Sequence, residues 1–501
     1  MKNLFAILSI IAFMIVLSIS CKKSWLDPPP ENTRIQDDST FARPENATRF
    51  VNACYAQLND WNEHVFSWIG ISSITSDDAD KGSFPGDVGA DKDQMDNFTY
   101  TATSLSPSEV WSGNFVGVGR CNQAIDNLPR FTNVPQALRD RLVAEAKFLR
   151  AYYYFNLVRC YGDVPLVDSV YSSDNIEQIV GLYTRSPKSE IYALIIRDLT
   201  DAAGALPVKS AYGAADVGRA TQGAALGLLA KVQLYQKNWA AAIAASDQVI
   251  TSGEYSLEPD YALLWRQTTE NGRESLFEVQ AQNGQEGWAT GGYSETQRAR
   301  ATVINGFNGW GFNSPSASLE AAYEPGDVRK AGTMYFAGQT LWDGAIIDID
   351  AANPRYNYKS YSSMTQETNY DGWFTGKNIR ILRYGEILLI NAEAANEAGQ
   401  PGKALAALNQ VRARARGGVA GVLPDVTVTA QAALRDAIWR ERRVELAMEH
   451  DRFFDLVRQG RAGTVLRAQG KNFVDGKHEV FPIPLNQIIV SQGRLTQNPG
   501  Y

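Results

Sequence analysis

Two stretches of this chain follow one plan. Leu228 to Ile250 (LLAKVQLYQKNWAAAIAASDQVI) reads as a helix, a polar turn and an alanine-rich second helix. Leu388 to Arg412 (LLINAEAANEAGQPGKALAALNQVR) repeats it, with a turn two residues longer that Gly399 and Pro401 break. Small residues at facing positions let two antiparallel helices approach closely, as in tetratricopeptide-like hairpins. The copies start about 160 residues apart, too far for a tandem array, so something large is inserted between them. A chain of 501 residues, 44% of them hydrophobic, is expected to fold, and it exceeds a single simple core. The expected fold is mainly α: a tetratricopeptide-like helical-hairpin scaffold carrying a large irregular loop-rich lobe.

Other helices frame the hairpins. Ala42–Leu58 and Pro107–Leu128 suit helices, and Gln136–Tyr161 is the clearest, with Leu142, Ala146, Leu149, Tyr153 and Leu157 forming one apolar stripe. Gln431–Arg458 reads as a further helix, after which HEVFPIPLNQI and LTQNPGY continue as extended, proline-containing segments. Residues 284–376 differ: 13 Gly and 15 aromatics with almost no helical period. Such loops make a poor core of their own and are expected to ride on the helical frame, where binding surfaces usually sit. A second loop-like stretch, Ser72–Thr103, holds seven Asp between Asp77 and Asp96. The expected units are therefore 41–283 (helical), 284–376 (aromatic insert) and 377–501 (helical).

The N-terminus sets the compartment. Lys2 precedes an uncharged, nearly all-apolar run from Leu4 to Ser20, too marginal to span a bilayer and suited to a secretory signal over 1–20. Cys21 follows at once, as at the cleavage box of bacterial lipoproteins, although Ser18 stands where a large aliphatic is usual. An ordinary signal peptide cut near Ser20 is the alternative. A diacylated Cys21 would anchor a soluble body stably, and the proline-rich segment from Lys22 to Pro30 suits a stalk over 21–40. No later stretch can span a membrane. Cys54, Cys121 and Cys160 share no metal-ligand spacing; buried free thiols are expected, with a Cys54–Cys121 bridge as the alternative.

Catalytic chemistry leaves few marks. A net charge of −7 argues against nucleic acid as the main ligand. His64, His450 and His478 are the only histidines and lie far apart, so no H-E-x-x-H zinc helix exists. Phosphate loops, nucleophile elbows and C-x-x-C are absent too. A glycoside hydrolase needs only two carboxylates at a suitable separation, and sequence leaves that open. The helix around Arg440, Glu441, Arg442, Arg443 and Glu445 reads as an ion-paired brace. DDADKG and DKDQMD lack the twelve-residue spacing of a calcium loop. No cofactor is expected; a solvated acidic loop is preferred, with calcium the weaker alternative and Asp77, Asp78 or Lys81 open to ligand contact.

Six segments in order resemble one family, the SusD/RagB nutrient-binding outer-membrane lipoproteins. They are Cys21 with CKKSWLDPPP, AEAKFLRAYYYFNLVRCYGDVPLV, RYGEILLINAEAANEAG with ALAALNQVRARA, AIWRERRVELAMEHDRFFDLVRQG, FPIPLNQI and LTQNPGY. The resemblance covers nearly the whole mature chain. It implies a helical frame with an irregular binding lobe and a non-enzymatic, lipid-anchored protein of the outer membrane, exposed at the cell surface. It also implies a TonB-dependent SusC-like transporter as partner, receiving oligosaccharides or polysaccharide fragments, or peptides in some branches. No binding residue carries over by motif.

Sugar chemistry suggests where to look. A pyranose presents a face of C–H bonds, which an exposed indole covers, and a rim of hydroxyls, which polar groups satisfy. Trp288 (EGWAT), Trp310 (FNGWGFN) and Trp373 (YDGWFTG) have Gly or polar neighbours and are the first candidates. Phe84 and Trp68 are further aromatic candidates, with Asp78 and Asn313 for the rim. For each aromatic the competing role is to anchor a loop to the core. Trp239 and Trp439 are expected to be embedded.

Overall fold

The computed structural model describes residues 38–84, 87, 89–171, 183–281, 292–367, 369–370 and 374–501. Its frame is a stack of antiparallel helices. α1 (Glu45–Leu58) is followed by the single turn α2 (Trp61–His64), then α3 (Leu105–Asn127), α4 (Gln136–Tyr161) and α5 (Lys188–Ala205). The first hairpin is α6 (Gln222–Tyr235) with α7 (Trp239–Thr251); the second is α8 (Tyr384–Glu397) with α9 (Pro401–Ala415). α10 (Gln431–Leu446) and α11 (Arg452–Arg458) complete it. Each helix from α3 to α9 packs on the next, and α7 lies directly against α8. The two hairpins separated in sequence are thus neighbours in space, and the insert loops out between them. No helix among the described residues is long and apolar enough to cross a membrane.

α4 sits at the centre of this stack. One apolar stripe was expected, yet almost every side chain from Ala144 to Tyr161 is buried, including Tyr152, Tyr153, Tyr154 and Tyr161. The helix is walled by α1, α3 and α5, so its polar residues are satisfied internally. Arg150 clamps Asp198 at 2.7 and 2.9 Å and Asn122 at 2.8 Å. α3 approaches so closely that a Cβ on Gly117 would stand 2.6 Å from the Tyr153 ring. Cys54, Cys121 and Cys160 are buried free thiols, as preferred over a bridge.

The insert is stitched to the frame. β2 (Ser275–Val279) pairs antiparallel with β4 (Ile379–Arg383), closing its base, while β1 (Ala79–Gly82) pairs with β3 (Phe312–Pro315). A second small core joins it to the segment that precedes it, in line with expectation: Tyr335, Tyr356, Tyr358 and Tyr361 pack with Tyr261 and Trp265. Tyrosines suit this because their rings bury area while their hydroxyls bond backbone, as Tyr335 Oη accepting from Ala299 N at 3.0 Å.

Further departures have physical causes. The Asp-rich stretch is no solvated loop: it contains β1 and the helix Ala90–Asn97, and its acids are paired, Asp93 with Lys81, Asp91 with Lys92 and Asp96 with Lys471. The expected helix over 431–458 breaks between α10 and α11, where Met448 and His450 adopt positive φ (64° and 70°). A short helix, Leu485–Val490, replaces part of the extended C-terminus. Trp239 and Trp439 are half-buried rather than embedded.

The brace expected on α10 is present. Glu445 accepts from Arg383 at 2.6 Å, from Arg329 at 3.0 Å and from Arg414. Arg442 joins Asp455 and Glu386, each at 2.7 Å. Burial alone would raise the Glu445 carboxyl, but the three guanidiniums outweigh it and hold it far below the usual carboxylate range. Replacing Glu445 by Gln leaves buried guanidiniums without their shared anion, and we expect a stability loss of about 3–5 kcal/mol. Urea unfolding would measure it, and an unchanged midpoint would contradict the brace. Because this carboxyl is depressed on folding, its contribution is complete above the unfolded value of about 4.3 and disappears as pH falls through the folded value.

Candidate functional site

The sequence candidates scatter. Trp288 and Trp373 lie outside the described residues, as does Cys21. Trp68 is 3% exposed and stacks on Phe454 at 5.9 Å, so it is core rather than surface. Asp78 is buried and bonded to Arg443 at 2.7 Å; it braces β1 against α10 instead of meeting ligand. Asn313 is buried inside β3 with φ 57°, donating to Gln297 at 2.7 Å, so it is no rim group. Phe84 is 46% exposed and Trp310 is half-buried, so both remain at the surface.

Trp310 gathers partners that sequence reasoning missed. Its ring lies 6.1 Å from Trp61, at 56° between planes, and 5.8 Å from Phe66, edge on. Trp61 and Phe66 are themselves 6.0 Å apart, and both are half-buried. Behind them Phe312 meets Phe66 at 4.7 Å, and the Lys92 ammonium sits 4.0 Å over the Phe66 ring. Three aromatics thus form a partly open platform, two from the N-terminal helices and one from the insert.

Backbone contacts fix each contributor. The loop carrying Trp310 is pinned to the short helix Gly292–Gln297 and the turn after it: Gly309 N donates to Ala299 O at 2.7 Å, Trp310 N to Glu295 O and Gly311 N to Arg298 O, both at 3.0 Å. A Cβ on Gly309 would stand 2.5 Å from Glu295 O, so the approach needs glycine there. Ser83 N donates to Gly311 O at 2.7 Å, bringing Phe84 beside this loop. The Arg300 guanidinium lies 4.5 Å over Phe84 and pairs with Asp87 at 2.9 Å, which also accepts from Ser83 Oγ. A polar rim therefore flanks the rings.

Trp61 is held from below. Asp60 caps α2, accepting from Asn62 N at 2.9 Å. His64 Nδ1 donates to Leu58 O at 2.9 Å, which leaves Nε2 to accept from Tyr152 Oη at 2.6 Å. Burial outweighs these bonds and lowers its pKa to about 3, so the ring is neutral at physiological pH. Glu63 accepts from Asn156 at 3.3 Å, and burial pushes its carboxyl well up. Trp61 also has polar neighbours, Asp60 and Asn62. Flanking by Gly or polar residues, applied outside 284–376, would have flagged it.

The family described as "SusD family" matches residues 294–501, and the one described as "Starch-binding associating with outer membrane" matches 25–234. A SusD-like protein of Formosa agariphila is 26% identical, the match covering 98% of this chain and 99% of that protein. Surface glycan-binding protein A from Bacteroides fluxus has a similar structure, with TM-score 0.77, 27% identity, and 92% and 100% of the two chains covered. A laminarin-binding SusD-like protein gives TM-score 0.76 and 29% identity over 91% of this chain and 99% of its own.

The His64 anchor yields a pH prediction. A histidine depressed on folding contributes stability that is complete above its unfolded pKa of about 6.5 and is lost as pH falls toward the folded value of about 3. Melting temperature should therefore drop between pH 7 and pH 5, and His64→Gln should flatten part of that drop. An equal drop in the variant would contradict this placement of the proton.

Proposed function

The chain belongs to the SusD/RagB family, and we propose that it is a non-catalytic, lipid-anchored surface protein of the outer membrane. In this reading it binds oligosaccharides and hands them to a TonB-dependent SusC-like transporter. The observation that carries the ligand class is the half-exposed pair Trp61 and Trp310, 6.1 Å apart and tilted by 56°. Two indoles at that angle offer successive C–H faces of a curved chain a place to stack. Arg300 and Asp87, locked together, present donors and a spare acceptor lone pair to hydroxyls near exposed Phe84. Names of similar proteins, a surface glycan-binding protein and a laminarin-binding one, support the same class.

Binding without turnover fits the carboxylates nearby. Glycosidic cleavage needs one carboxyl as acid and a second as base or nucleophile, both open to the bond. Among the described residues, Asp87 is tied to Arg300 and Ser83, Asp60 caps α2, and Glu63, on α2 itself, is buried. For anchoring, the residues from Cys21 to the start of the described frame at Asp38 would reach up to about 60 Å when extended.

The test uses the soluble chain without its first 21 residues. Calorimetry against neutral oligosaccharides should give saturable binding with quenched tryptophan fluorescence. Trp61→Ala and Trp310→Ala should each weaken it about tenfold, the equivalent of about 1.4 kcal/mol. New reducing ends would instead indicate a hydrolase, and binding of peptides alone would replace the ligand class. Detergent extracts should co-purify the transporter with the full-length, anchored chain; its absence would remove that partner.

A further inference from the structure

The half-exposed indoles of Trp239 and Trp439 stand on rigid helices away from the insert. Trp239 opens α7 after the tight turn at Lys237, whose φ is 57°, and Trp439 projects from the middle of α10. Between them lies a cleft of about 250 Å³, floored by α8 and closed by the end of α11. We propose that this cleft is a second saccharide subsite, carried by the helical scaffold and taking one or two pyranose rings. The proposal goes beyond the loop platform and shares with it only the ligand class.

Three observations carry it. The volume lies just below the lower end for drug-sized sites, about 300 Å³, so it suits a ring or two rather than a long chain. Its polar groups are already aimed. Arg458 grips Glu393 at 2.6 and 2.8 Å, and Arg435 grips Glu397 at 2.6 and 2.5 Å. Trp439 Nε1 donates to Glu393 at 3.0 Å, fixing that indole against the same carboxylate. Glu397, partly exposed and held this way, keeps lone pairs for hydroxyl donors and pays no further ordering entropy, while buried Glu393 fixes the Trp439 indole. Finally, Gln459 lines the cleft, and its buried Oε1 has no hydrogen-bond partner among the described residues.

Charge argues against the other obvious occupant, an apolar helix. Such a helix would cover the partly exposed Arg435–Glu397 pair and take it out of water, a cost that a fixed pair does not recover from an apolar face. A sugar keeps that pair solvated through its hydroxyls. Exposed Lys237 at the mouth and Arg461, 5.2 Å from the Trp439 ring, add two cations, and exposed Asp436 offsets only one of them. An acidic sugar is therefore expected to bind here more tightly than a neutral one of the same length.

The experiment is fluorine NMR of the soluble chain labelled with 5-fluorotryptophan, whose 11 signals are assigned by single Trp→Phe variants. The probes are laminarihexaose, maltohexaose, xylohexaose and an oligogalacturonate of equal length. The expected result is saturable movement of the Trp239 and Trp439 signals, largest for the oligogalacturonate, with a midpoint distinct from that of Trp61 and Trp310. Trp439→Ala should raise the midpoint at Trp239 about tenfold while leaving that at Trp61 within about twofold. Movement at Trp61 and Trp310 alone overturns the second subsite and leaves the platform standing. Movement at Trp239 and Trp439 alone supports the subsite and removes the platform. Silence at all four overturns both, and the unmutated titration decides this even where a variant fails to fold.

Discussion

A single anion, the Glu445 carboxylate, sits where four parts of the chain meet. Arg329 reaches it from the insert, Arg383 from β4, Arg414 from the second hairpin, and Glu445 itself stands on α10. Neighbouring Glu449 takes Arg383 at 2.7 Å and Lys359, a second cation of the insert, at 2.6 Å. Buried ion pairs are weak sources of net stability, because desolvation consumes most of the Coulombic gain. What they fix is position: an insert shifted by one residue would leave a buried charge uncompensated. The loop-rich lobe thus has one seat on the helical frame, and the orientation of Trp310 toward α2 follows from it.

That seat explains why a platform can be shared between distant segments. Trp61 belongs to the N-terminal helices and Trp310 to the insert, yet two independent ties bring them together. The β1–β3 ladder aligns Ala79 with Pro315, and Arg443 locks Asp78 at the end of the same strand onto α10. The acidic stretch that resembled a solvated or calcium-binding loop is therefore a fastening. Six of its seven aspartates are paired with arginines or lysines, Asp80 being the exception among the described pairs.

The frame was legible because helices announce themselves locally. Periodicity located α4 and both hairpins to within a few residues, and small residues at facing positions foretold close packing. Long-range pairing was not legible. Nothing local in FNGWGFN says that Trp61, roughly 250 residues earlier, completes its surface. Asn313 and Asp78 looked like rim groups by residue type, but their partners, Gln297 and Arg443, are set by tertiary packing. Trp239 and Trp439 failed in the opposite direction: they were expected to be embedded, whereas the hairpin turn and the α10 face leave both half-buried.

The two aromatic sites solve one problem by different means. At the platform, rings are held by backbone bonds to a loop and by a neutral histidine under a single helical turn, so one side of a bound chain stays uncovered. At the scaffold cleft, indoles stand on long helices and the polar groups are locked in bidentate pairs. Preorganisation lowers the ordering cost of binding in both, but only enclosure raises affinity far, since it adds contacts on the ligand's second face. A protein that passes its cargo onward is better served by an open platform, from which a chain can be lifted face by face, than by a deep pocket it must leave at once. On that argument an open platform suits transfer of a chain, whereas a cleft of about 250 Å³ suits retention of a ring or two.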